Sequence, residues 1–357
     1  MIINPTEFWR NKRVLITGHT GFKGTWLCLW LKKLDAQVYG LSLASSDDQQ
    51  STFDLLKVGN DVISFAEDIR DRSAVLRVVA QVQPEIVIHM AAQPLVRRSY
   101  EDPVETIDVN VMGTVNILES LRLQPGCRVF LNVTTDKCYE NREWDWGYRE
   151  NEALGGHDPY SSSKACSEIV TAAYRSSFFN QQGSMAIATA RAGNVIGGGD
   201  RSEDRLIPDV LNGLRADRTI VIRNPNATRP WQHVLDPLSG YLRLCQVLYD
   251  GHQFARSAWN FGPRDEGVVP VSNIVSFLTE KWPGGGNWIA DDSDDVHEAQ
   301  LLKLDISKST SQLDWQPRMS LMRALNSIIE WEKSFLAGGD QRLLTLRQIE
   351  QFEVIAD

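Results

Sequence analysis

"RVLITGHTGFKG", Arg13 to Gly24, runs an apolar stretch straight into glycines at Gly18, Gly21 and Gly24. Val14 to Ile16 are apolar without alternation, the pattern of a strand covered on both faces. From Lys23 to Leu34 the apolar residues recur at helical spacing. The glycines therefore occupy a strand-turn-helix junction. Gly18 permits a tight turn, Gly21 lets the backbone approach a pyrophosphate, and Gly24 lets the helix lie close to the sheet. Phosphate oxygens placed there meet the positive end of the helix. It is this context, more than the glycines alone, that points to dinucleotide binding. His19, Phe22 and Lys23 belong to the same loop and are expected to border the cofactor. His19 and Lys23 are bulky for such a loop. They are expected to crowd the dinucleotide and weaken its retention, with a solvent-facing Lys23 as the alternative.

Working outward, apolar runs alternate with helical stretches. "AQVYGLSL", "VISFAED", "PEIVIHMAA", "CRVFLNVTT" and "SMAIATARAGN" read as further strands, and Ser73 to Gln83 as a helix. Strands separated by helices imply right-handed crossovers and a parallel sheet with helices on both faces. The expected fold is a doubly wound, Rossmann-like α/β sheet over residues 1–190. After Ala190 glycine and proline rise, as in "GNVIGGGDR", "RNPNATRPW" and "KWPGGGN". Residues 191–357 are expected to form mainly a smaller mixed α/β substrate-binding lobe. A helix from Val234 to Tyr249, in the segment near 230–250, should return to the sheet.

Composition narrows the function. The chain has 357 residues, 42% hydrophobic and 23% charged, with a formal charge of -9. An acidic surface disfavours nucleic acid and anionic membranes as general partners. Cys28, Cys127, Cys138, Cys166 and Cys245 form no close pair. Reduced thiols and no metal site are expected. The opening "MIINPTEFWRNKR" lacks an apolar core, and no apolar run is long enough to span a membrane. A cytoplasmic location is expected.

Two short segments carry chemistry. In "YSSSK", Tyr160 and Lys164 stand four apart and share one helix face, so an ammonium lies beside a phenol. Such a neighbour lowers the phenol's pKa and lets it take an alcohol proton near neutrality. In "VTTDKCYEN", Val133 to Asn141, a buried strand ends in hydroxyls, a carboxylate and an amine. Asp136 and Lys137 stand where a sheet edge presents groups to a ligand.

"GHTGFKG", "EDIRD", "HMAAQ", "NVMGT", "TTDK", "YSSSK", "ARAGNVIG" and "LDWQP" together resemble the extended short-chain dehydrogenase/reductase family over most of the chain. The resemblance implies NAD as cofactor. It places Asp68 and Ile69 beside the adenine and Ala91, Ala92 and Gln93 along the cofactor. Thr135 would bond the hydroxyl being oxidised, with Tyr160 and Lys164 as the base and its cation. Ser42 stands where the family often has an acid for the adenosine ribose, and Asp47 or Asp48 would serve only if their loop folds back. No arginine nearby suits a 2'-phosphate.

Within that family, Asp136 and Lys137 resemble the acid and base of nucleotide-sugar 4,6-dehydratases, which more often carry aspartate and glutamate there. The implied reaction oxidises sugar carbon 4, removes water across carbons 5 and 6, and returns hydride to carbon 6. Asp136 serves as acid only if its pKa is raised. Lys137 serves as base only if its own is lowered; otherwise it orients a water or stabilises the enolate. By the same resemblance Asn194 and Arg229 contact the diphosphate, Arg205 lies near the nucleotide, and Trp231 and His233 border the substrate, with packing as the alternative for Trp231. "RPWQHV" resembles family members acting on CDP-glucose, on the way to dideoxyhexoses of bacterial surface polysaccharide such as lipopolysaccharide O-antigen. A dTDP- or GDP-sugar dehydratase, a 4-epimerase and a non-catalytic dinucleotide sensor are the alternatives. Relatives pair through helices, here Met112–Leu121 and Ala165–Phe178, so a homodimer or higher homo-oligomer is expected.

Overall fold

The structure is a computed structural model that describes residues 5–44, 51–291 and 301–355. Its strands are β1 (Arg13–Thr17), β2 (Gln37–Ser42), β3 (Ile63–Ala66), β4 (Ile86–His89), β5 (Val129–Val133), β6 (Ala186–Ala192), β7 (Asn194–Ile196), β8 (Ile220–Arg223), β9 (Thr228–His233), β10 (Ala258–Phe261), β11 (Val268–Pro270) and β12 (Trp288–Asp291). Seven of them form one parallel sheet in the order β10-β6-β5-β4-β1-β2-β3. The chain winds outward from β1 in one direction and from β4 in the other. The carboxyl ends of β1 and β4 thus flank the switch point where doubly wound sheets bind ligands.

Each face of the sheet is sealed by its own core. On one side Val14, Ile16, Ile88 and Leu131 pack against Trp26, Trp30, Leu238 and Tyr241. On the other, Leu15, Val87 and Phe130 pack against Val75, Val79, Leu118 and Leu121. This two-sided burial explains why the central strands carry uninterrupted apolar runs. The helix Leu235–Tyr249 supplies Leu238, Tyr241 and Leu242 to the first core. It is followed by β10, which completes the main sheet beside β6. Residues 258–261 were not expected there; their sequence lies in a stretch rich in glycine and proline.

A second, smaller core lies between the helices Leu206–Arg215, Val271–Lys281 and Leu321–Leu336 and two small sheets, β11-β9-β7 and β12-β8. Here the strands run both parallel and antiparallel. No helix among the described residues is long and apolar enough to cross a membrane. All five cysteines are free thiols.

Candidate active site

The glycine loop follows β1 at the switch point, and the helix Phe22–Lys33 opens from it. Gly18 has φ +73°, and a Cβ there would lie 2.8 Å from the Ala91 amide. A Cβ on Gly24 would collide with the Gly18 carbonyl. Gly21 is the N-cap, and a Cβ on it would meet only the Gly18 carbonyl, at 3.3 Å. The loop therefore leaves a backbone surface open over a helix N-terminus, which fits a dinucleotide pyrophosphate. Thr17 ties it to β4 by accepting bonds from the Met90 and Ala91 amides, both at 3.1 Å.

The two bulky loop residues go separate ways. His19 turns down onto the sheet, above Gly40 of β2, where its Nε2 lies 2.9 Å from the Ser64 hydroxyl and its ring meets Phe53 edge-on. It is 1% exposed, and burial lowers its pKa to about 4, so the ring is neutral. The expectation that its side chain crowds the cofactor is corrected: the missing side chain of Gly40 makes a slot for it. Lys23 points inward rather than to solvent. Burial, with the positive charges of Arg205 and Lys164, lowers its pKa to about 7, against the pull of Asp136 and Asp200.

The remaining cofactor candidates line the same edge. Ser42 ends β2, 3.0 Å from the Thr20 hydroxyl of the loop. Asp68 ends the β3 segment and is paired with Arg70 at 2.6 Å. Ile69 is buried against Gly113, and its carbonyl accepts a bond from Asn116 at 2.9 Å. Ala91 and Ala92 follow β4 half-buried, and the Gln93 amide is held by Asn110 at 2.9 Å. Asp47 and Asp48 lie outside the described residues.

The catalytic candidates meet at the end of β5. Thr135 caps a short 3-10 turn, Asp136–Cys138. Its hydroxyl bonds the Asp136 carboxylate at 3.0 Å and reaches the Tyr160 phenol. Tyr160 and Lys164 stand on the helix Pro159–Ser177, started by Pro159 and by Asp158, whose side chain accepts the Ser161 amide at 2.9 Å. The Lys164 ammonium lies 3.5 Å from the Val133 carbonyl, at the strand end.

Burial governs the titration of this group. Asp136 is 3% exposed, and one carboxylate oxygen has no hydrogen-bond partner. Burial raises its pKa despite the opposing Lys137, Thr135 and Arg229. The direction of this shift is the one an acid at this position needs. Tyr160 is pushed up to about 12 by burial, against the Thr135 hydroxyl and the Arg205 charge. This corrects the expectation that the neighbouring lysine brings the phenol down: burial outweighs the groups that lower it. Lys164 is lowered by burial to about 8, with Glu168 opposing.

Among the substrate candidates, Asn194 opens β7, beside β9. Arg229, on β9, is buried and its charge acts on Asp136. Arg205 precedes the helix Leu206–Arg215, is held by Asp200 at 3.2 Å, and acts on Tyr160 and Lys23. These cations converge on the catalytic groups. Trp231 and His233 do not. Trp231 packs in the smaller core, its indole N–H on the Val269 carbonyl at 3.3 Å. His233 is fully buried edge-on to Trp26, and it lines a cavity of about 320 Å³ with Arg323, Glu330 and Gln348. In place of the substrate contacts expected of them, Trp231 and His233 show packing contacts with Val269 and Trp26.

Sequence reasoning passed over Glu168 and Arg191, a buried ion pair at 2.9 Å directly beneath this site. The available signals were an arginine inside the apolar run of β6 and an acid four residues beyond Lys164.

Comparison with known proteins agrees with this geometry. Residues 15–260 match the sequence model of the GDP-mannose 4,6 dehydratase family. The chain is 48% identical to a CDP-glucose 4,6-dehydratase of Salmonella typhimurium over 97% of both proteins. It is 26% identical to a dTDP-glucose 4,6-dehydratase of Xanthomonas campestris, over 89% of this chain and 92% of that one. In fold it is similar to an epimerase of Methanothermobacter thermautotrophicus, at TM-score 0.79 and 23% identity over 94% of this chain and 97% of the other. It is also similar to a dTDP-glucose 4,6-dehydratase of Streptomyces venezuelae solved with NAD, at TM-score 0.76 and 21% identity over 92% and 98%. A protein named as an epimerase and one named as a dehydratase thus share this scaffold. By its sequence match, its doubly wound sheet and its catalytic edge, the chain belongs to the GDP-mannose 4,6-dehydratase family, nucleotide-sugar dehydratases of the extended short-chain dehydrogenase/reductase type.

Proposed function

We propose that this chain converts CDP-glucose to CDP-4-keto-6-deoxyglucose with NAD. The observation that carries the reading is the Asp136–Lys137 pair on the turn after Thr135, with a carboxyl that burial holds toward its protonated form. Simple oxidation or epimerisation has no use for that pair. The similarity to the Salmonella dehydratase supports the cytidine nucleotide.

Bound along the glycine loop, NAD supplies a reversible hydride store. Tyr160, as the phenolate that the Thr135 hydroxyl and the Arg205 charge favour, takes the proton from the carbon-4 hydroxyl as hydride leaves carbon 4. Lys164 holds positive charge beside it. The resulting ketone acidifies the carbon-5 hydrogen; Lys137 as a neutral amine would remove it, and as an ammonium would stabilise the enolate while another group takes the proton. Asp136 protonates the carbon-6 oxygen, which leaves as water. Hydride then adds to carbon 6 and a proton to carbon 5. Arg229 and Arg205 neutralise the diphosphate with Asn194 beside them, and their placement near Asp136 and Tyr160 supports this role.

The test is incubation with CDP-glucose, dTDP-glucose, UDP-glucose and GDP-mannose separately, in deuterated water, with and without NAD. Water loss from CDP-glucose, with one deuterium at carbon 5, is expected. Isomerised sugar without water loss would overturn the reading in favour of an epimerase.

The same reading includes a cytoplasmic enzyme on the way to surface dideoxyhexoses, self-associated through the helices Gly113–Leu123 and Pro159–Ser177. Exposed Met112, Leu123, Ile169 and Phe178 on and beside these helices support such pairing. A solution mass near twice 40.2 kDa is expected, and a monomer mass would refute the pairing.

A further inference from the structure

The turn that carries Asp136 and Lys137 is anchored at both ends by one buried ion pair. At its start, the Thr134 hydroxyl donates to the Glu168 carboxylate. At its end, Arg191 donates to the Tyr139 hydroxyl at 2.7 Å, and Tyr139 in turn donates to Asn260 at 2.8 Å. Glu168 and Arg191 meet through two bonds, at 3.0 and 2.9 Å, and Thr189 fills the carboxylate's remaining site at 2.7 Å. Both side chains are 3% exposed. Glu168 also stands one helical turn beyond Lys164, on the same face.

A buried ion pair is weak evidence for stability, since apolar replacements of equal volume often serve as well. This one bonds the residues flanking the turn at both ends, and its carboxylate acts through space on Lys164, one helical turn away. We propose that Glu168 is a positioning residue for the reaction: shared with Arg191, its carboxylate clamps the Asp136–Lys137 turn and presents the compensating charge to the Lys164 ammonium.

The charges around Lys164 make the second half of this role specific. Lys23, on the glycine-loop helix, is a like charge. His89, on β4, is held neutral by burial, with its pKa lowered to about 3. Cys138, on the turn, is held neutral as burial raises its thiol. Arg191, on β6, is positive. Glu168 is thus the carboxylate that opposes burial at Lys164, which sits at about 8. Neutralising it leaves Arg191 uncompensated, and Lys164 then loses its proton at lower pH.

The inference rests on Lys164 serving as the cation of the proposed reaction, so the first readout is independent of turnover. The chain is labelled with 13C at the lysine ε carbons, and the Lys164 signal is assigned by its loss in Lys164→Arg. In Glu168→Gln, which keeps the size and the acceptor for Thr134, the Lys164 midpoint is expected to fall by about one unit or more. Adding Arg191→Met returns it toward the wild-type value, because the pair's net charge is restored. The alkaline limb of kcat/KM for CDP-glucose shifts with it. An unmoved midpoint overturns the proposal and leaves Glu168 an ordinary core ion pair. Failure of wild-type turnover with a moved midpoint overturns only the substrate assignment. Should Glu168→Gln not fold, Glu168→Asp draws the carboxylate back from Lys164. Its midpoint falls in the same direction, or the proposal is wrong.

Discussion

Replacing Asp136 with asparagine separates the elimination from the oxidation. Asparagine keeps the shape and can still accept the Thr135 hydroxyl, which lies 3.0 Å from the carboxylate in the native site. It has no proton to give to the departing carbon-6 oxygen. A positioned general acid contributes about 10²–10⁴-fold. Its loss therefore raises the barrier to water loss by about 3–5 kcal/mol. Tyr160, Lys164 and Thr135 remain, so oxidation at carbon 4 persists. A 4-keto sugar that retains its water should accumulate. Rapid quench, trapping with borodeuteride and mass analysis would detect it. The pH dependence has a definite sign. Burial raises the pKa of Asp136, so the acid form is the working form, and the elimination slows as pH rises through that value. The same shift bears on stability. A carboxyl whose folded pKa lies above its unfolded one favours folding most below the unfolded value, and that contribution is lost as pH rises through the folded one. Asp136→Asn should therefore melt above wild type in alkaline buffer while turning over more slowly. Water loss within about threefold of wild type, well short of the expected range, would show that the acid lies elsewhere. Loss of the 4-keto sugar together with product would show that Asp136 serves the oxidation.

Arg229→Gln should raise KM for the nucleotide sugar at least about tenfold, by removing a charged contact, whereas Trp231→Ala should cost about 3–5 kcal/mol of stability; substrate titration and denaturant melts distinguish them. Equal KM effects would return Trp231 to the substrate site. The purified chain should carry well under one NAD per protomer, because the bulky Lys23 side chain turns inward beside the glycine loop and takes up space a dinucleotide needs; release by denaturation and quantification of the nucleotide checks this, and full occupancy without added NAD would refute it.

Much of the fold was legible because burial on both faces of a parallel sheet leaves a one-dimensional trace. β1, β2, β4, β5 and β6 fall inside the apolar runs that marked them. β10 escaped because its four residues join the sheet only after the helix Leu235–Tyr249 returns the chain to β6. The candidate catalytic residues were placed together for a related reason. Tyr160 and Lys164 share a helix face by spacing alone, and Thr135 to Lys137 sit where a buried strand must end.

Sequence by itself determined the strand-turn-helix junction at Gly18 to Gly24, the doubly wound class and the hydroxyl, acid and amine at the end of β5. Each is a local matter of period, backbone freedom or chain termination. Only the tertiary structure decided that His19 fills the slot over Gly40, that Lys23 turns inward, and that Trp231 and His233 pack inside while the charges of Arg229 and Arg205 act on Asp136 and Tyr160. It alone joined Glu168 to Arg191 and to both ends of the catalytic turn. The upward shift of the Asp136 pKa was decided there too. Its carboxyl is raised because desolvation outweighs Lys137, Arg229 and Thr135 together, a balance set by packing from several distant segments.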